Sequence, residues 1–369
     1  MVEWKKLGEV CQVLDSQRKP VSKGNRSQGE YPYYGANGIQ DYVDGYIFDG
    51  TYLLLGEDGS VINTDNSPVL HWATGKIWVN NHAHILQENN KALLRYLYYT
   101  LQCTDVSDIV RGMPPKINQA NMRNILIPIP SLEEQARIVG ILDTFTSAID
   151  NLKEQIAQRR KQYEYYRDQL LDLEGKPGVE MKPLGEIGEF IRGNGIQKND
   201  FVEVGFSCIH YGQIHARYGF SANKSISKIQ ESLYKKCKKA QKGDVVLATT
   251  SEDAEGVAKP FVWLGNEDAA VSGDAFVFHH NQNGKFMGYQ FLTHRFMQFK
   301  IKNATGAKVV RISGENMAKY KVALPSIDGQ QRIVSILDTF EASIQNLEAQ
   351  LKERQKQYEY YRNKLLTFE

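Results

Sequence analysis

The sequence predicts an α+β protein: two small mixed α/β heads separated by two long antiparallel coiled-coil helices, built as a pseudo-two-fold internal repeat. Two observations carry this. One passage occurs twice, PSLEEQARIVGILDTFTSAIDNLKEQIAQRRKQYEYYRDQLL from Pro130 and PSIDGQQRIVSILDTFEASIQNLEAQLKERQKQYEYYRNKLL from Pro325, identical at 25 of 42 positions without a gap. Each copy follows a globular stretch unlike the other. Self-similarity of this kind marks a duplicated architecture.

Both copies keep an unbroken 4-3 apolar spacing. It runs Ile138, Leu142, Phe145, Ile149, Leu152, Ile156, Arg159, Tyr163, Tyr166, Leu170, Leu173 in the first, and Ile333, Leu337, Phe340, Ile344, Leu347, Leu351, Arg354, Tyr358, Tyr361, Leu365, Phe368 in the second. A seam with this average period of 3.5 wants a partner helix along its length. A helix from Ser131 to Leu173 would be about 60–65 Å long. Ser131 and Glu134 form a capping box after Pro130, and Gly175 and Pro177 follow the end. Arg159 and Arg354 interrupt the seam at the same place, as a register-setting polar residue does. Two surface helices whose arginines snorkel outward would give the same pattern. Paired within one chain, antiparallel helices would carry the heads at opposite ends of a rod. Tyr165 and Tyr360 fall off the seam and are candidates for docking a second protein, or for packing against a head.

The domains follow: a first head over 1–130, a helix over 131–173, a second head over 174–324 and a helix over 325–369. The duplication frames both heads. Glu3–Val10 aligns with Glu180–Ile187 at an offset of 177, and Lys116–Ile117 with Arg311–Ile312 at the helices' offset of 195. Between these frames the sequences diverge. Short strands are expected at Tyr46–Leu55, Lys76–Val79 and Ala83–Gln87, and at Asp244–Thr249, Pro260–Leu264 and Ala275–His279. Short helices are expected at Asn90–Leu101 and Met287–Lys300.

Composition excludes some classes. No apolar run is long enough for a membrane span, MVEWKKLGEV is no signal peptide, and Cys11, Cys103, Cys208 and Cys237 are scattered, as in a reducing cytoplasm. The net charge is +2. It is uneven: the second head is the basic part, through Lys224, Lys228, Lys235, Lys236, Lys238, Lys239 and Lys242. Such a run is either a phosphate grip or a solvated helix face. The first head has a smaller group, Arg18, Lys19, Lys23 and Arg26.

Catalytic motifs are missing. There is no phosphate loop, no GxGxxG after a strand and no Asn-Pro-Pro-Tyr or Asp-Pro-Pro-Tyr. His82 and His84 would share one face of a strand and could reach one metal, but no third ligand is evident, and no metal site is assigned. Ser251, Glu252 and Asp253 follow a strand without a partner base.

The order head, helix, head, helix, with Pro130–Ile138 and Pro325–Ile333 leading into the helices, resembles the DNA-specificity (S) subunit of type I restriction–modification enzymes. The strings YPYYGANGIQDYVDGYIFDGTYLLLGEDGSV and QKGDVVLATTSEDAEGVAKP resemble its target-recognition domains. The resemblance implies a non-catalytic subunit whose heads each read half of a bipartite double-stranded DNA target. The helices would set the spacer and dock two methyltransferase subunits. It implies no cofactor in this chain: S-adenosylmethionine, ATP and Mg are expected on partner subunits, restriction subunits among them. Candidate DNA contacts are Lys19, Lys23, Arg26, Asn37, Lys76, Asn81 and Lys116 in the first head. In the second they are Arg192, Asn194, Gln197, His215, Lys224, Thr250, Ser251, Lys259 and Arg311. A two-component type IIB specificity subunit has the same layout. A coiled-coil protein adaptor, or a hydrolase using His82 and His84 on a metal, are readings from other classes.

Overall fold

The computed structural model of the chain describes residues 2–306 and 309–368. The chain divides into two compact units, Met1–Lys153 with Ala349–Glu369, and Glu154–Glu348. Helices span Leu132–Leu171 and Ile327–Leu366, 40 residues each, and each therefore contributes to both units. The Ser131 hydroxyl accepts from Glu134 N at 3.2 Å and the Ser326 hydroxyl from Gly329 N at 3.3 Å, satisfying donors that a helix start leaves open. The expected capping box is only half made. The Glu134 carboxylate turns to the Arg137 guanidinium instead, at 2.6 and 2.8 Å.

Within the first unit the helix segments run antiparallel. Ile138 and Leu142 share a core with Leu366, Leu365 and Phe368, while Phe145 stacks on Tyr361 at 5.3 Å with Arg354 5.7 Å from its ring. The second unit repeats this. Leu171, Leu170 and Tyr163 share a core with Ile333, Val334 and Leu337, and Tyr166 stacks on Phe340 at 5.5 Å with Arg159 at 6.0 Å. The two seam arginines thus each face an aromatic ring of the facing helix, a cation–π contact.

Each head docks on its helix through one repeated set of bonds. Gln135 and Gln330 are wholly buried. Gln135 accepts from Leu93 N at 2.9 Å and donates to Pro130 O at 3.0 Å; Gln330 accepts from Asn283 N and donates to Pro325 O, both at 3.0 Å. About two turns further on, Asp143 takes Tyr99 (2.5 Å) and Arg95 (2.8 Å), and Asp338 takes Tyr289 and Lys285 (both 2.8 Å).

The first head's sheet has the order Gln12–Val13, Ala83–Gln87, Phe48–Gly56, Leu70–Val79, Gln28–Gly35, Gly38–Val43. The second head's has Gly188–Arg192, Ala275–His280, Val245–Ala248, Lys259–Trp263, Ser221–Ala222. The first five strands correspond one to one, down to the single parallel pairing, Tyr33 with Trp78 and Ser221 with Val262. A ribbon closes each frame, Glu3–Lys6 with Leu126–Ile129 and Glu180–Pro183 with Lys321–Leu324.

The second head has a further five-stranded sheet: Phe201–Val202, Ser227–Ile229, Phe206–Ile209, Ala269–Val271 and Lys239–Ala240. The lysine run is spread over this sheet and its loops, not along one helix face. The helix expected over Met287–Lys300 is two, Gly284–Gln290 and His294–Asn303, because the Thr293 hydroxyl accepts from Phe296 N at 3.2 Å and starts a new one. Among the described residues no helix is long and apolar enough to cross a membrane.

Candidate nucleic-acid interface

Of the first head's candidates, Asn81 and Lys116 lie where Phe48–Gly56 ends and Ala83–Gln87 begins, beside a charge network of residues that were not among the candidates. Buried Asp15, just past Gln12–Val13, is the hub. Its carboxylate accepts from His84 Nδ1 (2.6 Å), Gln119 Nε2 (2.8 Å) and Ile85 N (3.0 Å). Arg18 reaches Glu57 at 2.5 Å and the carbonyls of Ala83 (2.9 Å) and Asn81 (3.4 Å). Lys116 pairs with Glu57 at 3.0 Å. Burial alone would raise the Asp15 and Glu57 carboxyls, but His84 beside the first, and Arg18 and Lys116 beside the second, hold both below the ordinary range.

Asp15, Glu57 and His84 bring ligand-type atoms within 4.8 Å of one another. The chemistry is that of a charge network, not of a metal cradle. His84 Nε2 meets the Ile117 carbonyl at 2.8 Å while Nδ1 meets the Asp15 carboxylate at 2.6 Å, so both ring nitrogens are already engaged by protein groups. His82 does not converge with His84. It precedes the strand, and its ring takes Asp58.

The loop carrying Lys19, Lys23 and Arg26 is stapled to the sheet. Trp78 Nε1 donates to Lys19 O at 2.6 Å, and Tyr33 and Val21 are bonded at 2.9 Å. Lys19 and Lys23 stay exposed. Arg26 turns inward to Val21 O (3.0 Å), Asp41 (3.3 Å) and the Tyr33 ring (4.1 Å). Lys76 lies 4.7 Å from the Tyr46 ring, and Asn37 is exposed in the turn before Gly38–Val43.

The second head builds the equivalent corner with different groups. Arg192, which aligns with Asp15, donates to Gly273 O at 2.9 Å and lies 4.0 Å from Asp274. Two clefts meet there. One, of about 630 Å³, is lined by Gln197, Lys198, His210 and Tyr211; the other, of about 230 Å³, by Thr250, Thr305 and Arg311. Thr250 and Ser251 pair in register with Arg311 and Val310. His215 bonds Thr250 O and Lys259 bonds His215 O, both at 3.0 Å, and burial lowers the Lys259 ammonium. Arg192, Gln197, His215, Thr250, Ser251, Lys259 and Arg311 are thus brought together. Asn194 is spent on Lys238 N at 2.5 Å, and Lys224 is exposed on the loop after Ser221–Ala222, outside the clefts.

Sequence reasoning missed Lys300. Its buried ammonium donates to the carbonyls of Glu255 (2.5 Å) and Val257 (2.9 Å), fixing the loop after Ser251, and burial pushes it down to about 8. Gln135 and Gln330 lie inside the repeated Pro130–Ile138 and Pro325–Ile333 stretches, but the sequence did not reveal that they dock the heads.

On the helices, Tyr165 and Tyr360 are 59% and 61% exposed. They pack edge-on against Tyr166 and Tyr361, extending each Phe–Tyr stack to the surface.

A profile of the family described as type I restriction modification DNA specificity domain matches residues 1–159 and 177–356. The chain is 33% identical to a type I restriction enzyme specificity subunit of Haemophilus influenzae, over 100% of this chain and 96% of the relative. It is 28% identical to the EcoR124I/EcoR124II specificity subunit of Escherichia coli, over 100% and 94%. The fold is similar to the crystal structure of the type I restriction–modification S subunit from M. genitalium, with a TM-score of 0.63 at 14% identity over 100% and 97% of the chains. Both halves of the sequence, each with its own head and long helix, are accounted for by these matches: the chain belongs to the type I restriction–modification DNA specificity family.

Proposed function

We propose that the chain is the specificity subunit of a type I restriction–modification complex, with each head reading one half of a bipartite target. The observation that carries this is the equivalent corner in both units, where polar and cationic side chains around the ends of corresponding strands are displayed with different chemistry. Phosphate contacts hold register, and groups at base edges select sequence. Lys19, Lys23, Asn81 and Lys116 suit these roles in the first head, and Arg192, Gln197, Thr250, Ser251 and Arg311 in the second. The heads are 1–130 and 174–324, and the helical spacers 131–173 and 325–369.

The exposed Tyr165 and Tyr360 ladders support docking of two methyltransferase subunits, one per unit. Those subunits, not this chain, would hold S-adenosylmethionine, and restriction subunits would use ATP and Mg, all in the cytoplasm. The subunit itself supplies no catalytic group. Linking two modest readers multiplies their affinity.

The test is single-molecule sequencing of DNA from cells carrying this chain and its neighbouring methyltransferase gene. A split motif methylated on both strands should appear only with the chain. Exchange of residues 12–115 for another head should then change one half of that motif. Methylation indifferent to the chain would end this reading.

A further inference from the structure

We propose that Met113 is a wedge that enters the base stack of DNA bound by the first head; this rests on the DNA-reading function proposed above. The Met113 side chain is 99% exposed. A methionine on a flexible loop would fold back onto the nearest apolar surface. This one is held away from it. Gly112 adopts φ +82°, a conformation that side chains disfavour, and Pro114 and Pro115 have fixed φ. Arg111 and Lys116 close the turn by exchanging two backbone hydrogen bonds of 2.9 and 2.8 Å.

The foot of the turn is anchored in the corner already described. Gly59 N donates to Pro115 O and Ile117 N to Glu57 O, both at 2.9 Å, and Lys116 bridges to Asp58. The turn is a feature of the frame, since the second head closes its own with the same pair of bonds between Thr305 and Arg311. Met113 is what the first head places on it.

Charge decides what the tip meets. Arg111 pairs with no carboxylate among the described residues, while Lys116 is held by Glu57 at 3.0 Å with its side chain 46% exposed. An apolar tip beside the Arg111 guanidinium fits an opened base step with a neutralised phosphate next to it. A protein groove would accept the methionine but has no need of the cation.

The test uses the full chain assembled with its methyltransferase subunits. 2-Aminopurine is placed in turn at each position of the first half-site except the methylated adenine. The wild-type complex should raise the fluorescence at one step. Met113→Ala should abolish that rise and weaken target binding about tenfold, a modest share of the specific affinity range. Met113→Leu should keep both. An unchanged profile and affinity in Met113→Ala would overturn the wedge while the specificity function stands. So would loss of methyltransferase assembly in Met113→Ala, which would assign the tip to protein. A wild-type complex that selects no bipartite site would sink the wedge together with the function on which it rests.

Discussion

The two units hold their heads to the helices in the same way and finish the reading corner in different ways. Gln135 and Gln330, Asp143 and Asp338, Tyr99 and Tyr289, and the Phe145–Tyr361 and Tyr166–Phe340 stacks correspond contact for contact. At the corner, the position that is Asp15 in one head is Arg192 in the other. Asp15 is the buried hub of a charge network, whereas Arg192 stands in open clefts. The repeat has kept what positions a head and let go of what the head displays. That division suits a protein whose scaffold is fixed while its target varies.

The sharpest way to break this comparison is at the aligned pair. Asp15→Ala leaves His84, Arg18 and Gln119 without their shared carboxylate, and should cost the first unit about 3–5 kcal/mol. Arg192→Ala, with a side chain 68% exposed, should change the second unit's stability by less than about 0.5 kcal/mol and still weaken DNA binding. Denaturant unfolding and DNA titration of both variants check this. Comparable stability losses would mean that the two corners do the same structural work.

The frame makes the opposite demand. Gln135→Ala and Gln330→Ala each strand a backbone N–H and a carbonyl, for about 1–3 kcal/mol. The two losses should match within about 1 kcal/mol in hydrogen-exchange measurements of each unit, and a clear mismatch would dissolve the equivalence.

Acid should separate the heads next. Asp15 and Glu57 are lowered on folding, so their contribution is complete above the ordinary carboxylate value of about 4 and is lost as pH falls through their folded values. Asp244 is raised, burial outweighing its bonds to Gln241 and His279. Its effect has the reverse sign: the second unit gains stability as pH falls through that raised value toward about 4. Exchange protection during acidification should therefore fail first in the first unit. Simultaneous failure would refute the contrast.

The smallest effect is at the seam. Arg159→Ala and Arg354→Ala should each cost about 0.5–1 kcal/mol, equally in the two units, by thermal unfolding.

The helices were legible because a seam and its repeat are periodic, and the strands because short apolar runs sit between turn residues. The break at Thr293 was hidden, since the apolar spacing continues through Phe291 and Phe296. Strand order was also hidden: the parallel pairings of Tyr33 with Trp78 and Ser221 with Val262 join segments far apart in sequence, which no local pattern encodes. Among the candidate contacts, residue type suggested Arg26 and Asn194 well enough, but only the fold shows their polar groups turned to Asp41 and to Lys238 N. Lys300 read as one more basic residue, and its role depends on carbonyls more than 40 positions away.

The division of the helices has a bearing on how the molecule is made. The second unit is one continuous stretch, whereas the first needs residues 349–368 to cover Ile138 and Leu142. A ribosome delivers those residues after everything else in either unit. The head translated first is thus the one that finishes folding last, and until then its apolar helix face is open to chaperones, to proteases and to the wrong neighbour.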